Sequence, residues 1–332
     1  MQPQRLLGRA VLTLFVVGCT SSGPGSSVAL DKTAEPTSTP RSTAAPTAVA
    51  TASLGLPGRI VFQRFDALAN ATAVYVAEAG AVELLFGRGA EVPHWSPDYT
   101  TVSVFCCDDG MAAHLIDIAN GAFRELAPPD PAIEVHCGPW TADGAEIACE
   151  SFGVDDGSKN GVYAMRASDG KGLRQLTSNP DGDDLPGDFS ADGKLLVFTR
   201  SDGGAGTLYV ARLGTKGKPK QITPSGVVEP CFCGAFSPDA SEIVYTSALD
   251  GGVYLVRPDG SDLRKIFQDA DGRWAITPAW SPDGRYILVA LSRSPDVSNH
   301  PPTDLYVIRS DGSNPTLALR GDAYQSNPDW AP

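Results

Sequence analysis

One short phrase returns along this chain at a nearly constant interval, and it constrains the fold more than any other feature. It reads Pro93-His94-Trp95-Ser96-Pro97-Asp98, then Pro139-Trp140-Thr141-Ala142-Asp143-Gly144 and Asp188-Phe189-Ser190-Ala191-Asp192-Gly193. Ala235-Phe236-Ser237-Pro238-Asp239-Ala240 and Ala279-Trp280-Ser281-Pro282-Asp283-Gly284 follow, and Asn327-Pro328-Asp329-Trp330 supplies a sixth aromatic near the end. The spacings between the aromatics are 45, 49, 47, 44 and 50 residues. A period of roughly 40–50 residues is the length of one four-stranded propeller blade.

Each repeat carries its own strand signals. After the aromatic comes an Asp-Gly-type turn, which predicts a tight hairpin with positive φ at both central residues. An apolar strand follows, such as KLLVF at 194–198 or YILVA at 286–290, and then a second one, such as VYLVR at 253–257 or LYVIR at 305–309. A blade cannot bury both faces alone, so the six aromatics Trp95, Trp140, Phe189, Phe236, Trp280 and Trp330 are predicted as core residues packed between neighbours.

The ends of the repeat array are unmatched halves. Arg59-Ile60-Val61-Phe62 looks like a post-turn strand with no aromatic phrase before it, while Trp330 has no strand after it. Residues 59–87 and 327–330 therefore predict one split blade that clasps the ring and leaves no free inner edge. The predicted fold is an all-β, six-bladed β-propeller over residues 56–332.

The N-terminal region reads differently. Arg5 and Arg9 precede an apolar run from Ala10 to Val17, too short for the roughly twenty residues that a membrane-crossing helix needs. Val16-Val17-Gly18-Cys19 resembles the bacterial lipobox, which implies a signal peptide over 1–18 and a lipid-modified Cys19 as first mature residue. Residues 19–55 are nearly all Ser, Thr, Ala, Pro and Gly with no aromatic, a composition that predicts a disordered tether. For the 36 residues from 20 to 55 the random-coil span is about 30–35 Å.

The repeated Pro-x-Trp-Ser-Pro-Asp-Gly, followed by an apolar strand and Leu-Tyr-Val, resembles the WD40-like (PD40) repeat of the TolB-type propellers. This covers residues 58–332. What the resemblance implies is a six-bladed ring in the cell envelope whose partner is another exported protein, here held at a membrane by the N-terminal lipid. TolB-type proteins carry an α/β domain before the propeller, and this chain has the Ser/Thr/Pro-rich stretch in that place. Related propellers precede the catalytic domain of prolyl-oligopeptidase-like enzymes, but no G-x-S-x-G elbow occurs in this sequence.

Charge and side-chain chemistry narrow the function. Formal net charge is −13, and loss of Arg5 and Arg9 with the leader would take it to −15. Such a body repels phosphate, and no basic stripe offsets it, so nucleic acid is not expected as a partner. Acids recur before the aromatics at Glu91, Glu134, Asp184 and Glu229, which reads either as solvated loop charge or as a binding mouth for basic segments or cations. The runs NPDGDD at 179–184 and DADG at 269–272 resemble Ca²⁺ ligands weakly and lack EF-hand spacing, so no cofactor is expected. Beyond Cys19, six cysteines remain: Cys106, Cys107, Cys137, Cys149, Cys231 and Cys233. A Cys137–Cys149 disulfide is expected because the pair flanks one hairpin, with free thiols, or a metal site drawn from Cys231, Cys233, Cys137, His94 and His136, as alternatives. No nucleophile–base pair or open metal site stands out, so the expected role is protein binding rather than catalysis. A small-ligand or cation sensor, or a propeller hydrolase, lyase or cyclase, remains the alternative.

Overall fold

In a computed structural model, residues 58–332 are described apart from 88, 107–111, 128, 129, 131, 154–156 and 229–233. The leader, Cys19, the tether, Cys107, Glu229, Cys231 and Cys233 lie outside the described residues. The described chain forms six antiparallel sheets of four strands each. Blade 1 is the split one: Arg59–Asp66, Ala71–Glu78 and Ala81–Phe86 come from the start, and Gln325–Ala331 pairs along Arg59–Asp66 as the innermost strand. The clasp is thus seven residues long, beginning two residues before the predicted 327. Innermost strands of the other blades are Glu91–Trp95, Ile133–Trp140, Asp183–Phe189, Ala235–Phe236 and Trp274–Trp280, each beside the next around a closed ring.

The core divides into six clusters, and each lies between two consecutive blades. Every anchoring aromatic joins the cluster shared with the preceding blade, so Trp330 packs against Leu288 and Val307 of blade 6, and Trp95 against Val61 and Val74 of blade 1. A second device fastens neighbours. The indole N–H of Trp95 donates to the Asp329 carbonyl (3.3 Å), that of Trp140 to the His94 carbonyl (3.3 Å), and that of Trp280 to the Ala235 carbonyl (3.1 Å). Each acceptor is the residue just before the previous blade's aromatic. Where the aromatic is Phe236, which has no N–H on its ring, its backbone amide instead donates to the Asp188 carboxylate at 2.9 Å.

The hairpin after each aromatic differs from the two-residue turn expected from sequence. Ser96 N donates to the Thr101 carbonyl and Tyr99 N to the Ser96 carbonyl, which makes a four-residue loop. Only the residue after the Asp has positive φ: Tyr99 (57°), Gly144 (68°), Gly193 (66°), Ala240 (57°) and Gly284 (70°). The Asp serves as an acceptor rather than as a left-handed residue. Asp98 takes bonds from the Ser96 hydroxyl (2.6 Å) and the Thr100 amide (3.1 Å), and Asp283 from the Ser281 hydroxyl (2.6 Å) and the Arg285 amide (3.0 Å). These bonds to the ionised form hold both carboxyls below the usual range.

Candidate functional site

The innermost strands surround a central channel, and their two ends present different chemistry. Five of the six strands bulge just before the aromatic, where the ladder slips between Glu91 and His94, Cys137 and Trp140, Pro186 and Asp188, Ile276 and Ala279, and opposite Val61/Gln63. Val92 (49°), Thr277 (47°) and Asn327 (47°), each three residues before its aromatic, adopt left-handed φ there. Side-chain bonds hold this costly backbone: Val92 N–H donates to Gln63 Oε1 (2.9 Å) and Asn327 N–H to Thr277 Oγ1 (3.0 Å). A bulge re-aims the residues that follow it. The residue before each aromatic, His94, Pro139, Asp188, Ala235, Ala279 and Asp329, lies at the wall of a cavity of about 290 Å³ lined from all six blades, with a bulge beside it in every strand except Ala235–Phe236.

This cup is aromatic, proline-rich and acidic. All six anchoring aromatics contribute to it, and Trp140 is more exposed than the fully packed core residue predicted. Asp329 Oδ2 accepts from the Trp95 backbone amide (2.8 Å), the counterpart of the Asp188–Phe236 bond across the ring. Burial pushes the Asp188 carboxyl up to about 7; the two backbone amides it meets oppose that, and the charge of Asp329 adds to it. His94 is held below its ordinary value by burial, with Asp329 pulling the other way. Its Nδ1 stands 4.0 Å from Asp329 Oδ2, and its buried Nε2 has no hydrogen-bond partner among the described residues. From the sequence His94 stands only in the candidate metal set, the aromatics stand as core, and Asp188 and Asp329 carry no assigned role. The one available signal was that the position before the aromatic holds Asp twice.

The opposite end is where the sequence placed its acids, and the structure corrects that picture. Asp184 is fully buried, its carboxylate bound by Arg200 Nε and Nη2 (2.7 Å each) and by the Thr177 hydroxyl (2.6 Å), so it is not a rim charge. Glu91 accepts from the Thr72 hydroxyl at 3.0 Å, and burial raises its carboxyl. Glu134 is half-buried in the Ile133–Trp140 strand. The sequence offsets explain the mismatch: these three lie 4, 6 and 5 residues before Trp95, Trp140 and Phe189, and strand neighbours face opposite ways. Gathered here instead are His136, which the sequence offers only as part of a metal set, and Glu150, which it does not single out. His136 Nδ1 lies 3.5 Å from the buried Glu150 carboxylate, between the rings of Phe105 and Phe152. Burial raises Glu150 well above its ordinary value, and Asp183 and Asp184 reinforce the shift.

Two further sequence readings take their places in this frame. Cys137 and Cys149 face one another in the blade 3 ladder with their sulfurs bonded. In the two runs weakly like Ca²⁺ loops, Asp184 is taken by Arg200 and Asp269 by Arg273 (2.8 Å). Among the described residues, no group of three or more His, Cys, Asp or Glu side chains is placed to hold a metal.

No protein-family model matches the chain. Among solved structures, TolB from Acinetobacter baumannii superposes with a TM-score of 0.63 at 18% identity, covering 83% of this chain and 67% of that one. A protein assigned as TolB in Agrobacterium tumefaciens gives 0.60 at 19% identity, over 83% of this chain and 98% of that one. An oligogalacturonate lyase in complex with manganese gives 0.53 at 15% identity, over 80% and 74%. Identities this low establish a shared propeller fold, which hosts both binding proteins and enzymes.

Proposed function

We propose that the chain is a lipid-anchored envelope protein that binds another exported protein, seating an extended segment of it in the cup at the aromatic end of the channel. The observation that carries this reading is the cavity itself: about 290 Å³, open to the outside, and lined by apolar rings, prolines and a few fixed polar groups from all six blades. That mixture is the usual make-up of a recognition pocket. Loops from distant parts of the sequence are fixed around one opening by the interblade bonds of Trp95, Trp140 and Trp280, so little ordering entropy is lost on binding. The cup lies at the end of the body where Arg59, the first strand residue, pairs with Ala331. A tether running from Cys19 would therefore leave the body beside the cup and keep it near the membrane.

The test is capture from the native envelope by the full chain, beside a variant carrying Ala142→Arg and Ala191→Arg. Both alanines are exposed on the cup rim, so the fold should tolerate the change. The same partner in wild type, lost in the variant, is the expected result. Capture unchanged by the two arginines overturns the proposal.

A further inference from the structure

We propose that the cup recognises one organic cation, an ammonium or guanidinium group, held between Asp188 and Asp329 within the aromatic rim. The inference rests on the cup being the binding end, and it names what the bound segment must present there.

Three observations converge on this chemistry. First, the cavity wall includes the carboxylates of Asp188 and Asp329 and no Lys or Arg. The two acids belong to blades 4 and 1, on opposite sides of a six-membered ring, and are close enough for the charge of Asp329 to raise the Asp188 carboxyl. The Phe236 amide holds one oxygen of Asp188, and the Trp95 and Trp330 amides hold the two oxygens of Asp329, one each. A carboxylate accepts about four hydrogen bonds, so acceptor capacity remains on both. At the far end of the same channel Asp184 has Arg200 as a partner, whereas this pair has no cation supplied by the cavity wall.

Second, His94 adds an unsatisfied acceptor or donor to the same wall, since its buried Nε2 has no partner among the described residues. Burial keeps the ring neutral, so it does not supply the missing positive charge. Third, Trp95, Trp140, Trp280, Trp330, Phe189 and Phe236 ring the cavity. Aromatic faces with nearby carboxylates attract alkylammonium and guanidinium groups through the ring quadrupole, and a desolvated site strengthens the attraction. Trp95 already works this way with Arg59, whose guanidinium stands 4.8 Å from the ring centroid. A metal ion suits the wall less well, because no three His, Cys, Asp or Glu groups among the described residues are placed to ligate one.

Binding should be linked to pH. The titratable groups lining the cavity are Asp188 (blade 4), Asp329 (blade 1), and His94 and Tyr99 (blade 2). A cation favours the ionised form of Asp188, so its binding should strengthen from pH 6 to pH 8 and release a proton below pH 7.

The experiment titrates the full chain with Nα-acetyl-lysine methylamide, its norleucine counterpart, and calcium chloride, following tryptophan fluorescence and heat. The lysine probe is expected to bind at least tenfold more tightly than the norleucine probe. Asp188→Asn and Asp329→Asn should each reduce that preference at least tenfold. Asn at 188 retains an oxygen for the Phe236 amide, Asn at 329 can serve only one of the Trp95 and Trp330 amides, and the comparison between probes requires no variant at all. Equal affinity for the two probes, lysine binding indifferent to both variants, or a response to calcium alone would each overturn the proposal. Failure of the broader reading looks different: the lysine probe then binds as stated, yet no envelope protein is lost on adding the rim arginines.

Discussion

Asp184 and Asp188 sit four residues apart on one strand, and their fates differ because their surroundings do. Asp184, at one end of the channel, is sealed by two bonds from Arg200 and one from Thr177. Asp188, at the other, meets backbone amides and a second carboxylate, and its carboxyl rises to about 7. The first end resolves its charge internally, as a fold does when a group serves stability. The second leaves charge uncompensated beside an open cavity, and perturbed groups of that kind collect where something binds.

That contrast yields a graded set of expected effects. The largest tests the ring that both ends share. Ending the chain before Gln325 removes the clasp strand with Trp330 and exposes the blade 1 and blade 6 faces. A buried Trp alone is worth about 3–5 kcal/mol against a total of roughly 5–15. Such a truncated protein should show no cooperative melt by circular dichroism.

Next comes Arg200→Ala, which strands Asp184 in a dry site. Breaking a buried pair from one side costs about 3–5 kcal/mol, to be read as a fall in the denaturant midpoint with unchanged slope. Asp188→Asn should act in the opposite direction. With its folded-state value raised to about 7, Asp188 contributes its full stability below about pH 4 and loses it as pH rises through 7. The Asn variant should therefore match wild type near pH 4 and exceed it at pH 8. The ceiling is about 4 kcal/mol for a carboxyl raised to about 7, and the open cavity beside it reduces the expected gain to about 1–2 kcal/mol. Smallest is Ser281→Ala, which removes one hydroxyl bridging Asp283 and the Tyr286 amide. A loss of about 1 kcal/mol in thermal or denaturant melts is expected, with both channel ends unaffected.

The sequence made the ring legible and the channel illegible, for one physical reason. Trp95, Trp140, Phe189, Phe236, Trp280 and Trp330 each do the same job at the same place in a blade, so they recur, and the split blade follows from their unmatched ends. Channel residues perform different jobs at equivalent places: before the aromatic stand His94, Pro139, Asp188, Ala235, Ala279 and Asp329. No pattern marks them, and it is their place at the inner strand ends, with a bulge beside them in five of the six strands, that puts them at the cavity. The turn geometry failed for a related reason. Asp-Gly suggests a two-residue hairpin, but the Ser96 and Ser281 hydroxyls recruit the Asp as an acceptor and leave positive φ to the next residue alone. The acids before the aromatics looked like a set because they lie in similar loops. Their offsets separate Asp184 from Glu91 and Glu134, and the Arg200 that neutralises Asp184 comes from the next strand, sixteen residues on.

The central claim is that the aromatic cup, not the acid end, is the end that binds, and photo-cross-linking tests it most directly. A photoreactive side chain would replace Ala142 or Ala191 on the cup rim in one pair of proteins, and Glu134 at the acid end in another. Each would be expressed as the full chain in its native envelope and irradiated. The expected result is a discrete protein adduct from both rim positions, weakened when Asp188→Asn is added, and none from position 134. An adduct from position 134 with none from the rim would contradict the account and return the working site to the acid end.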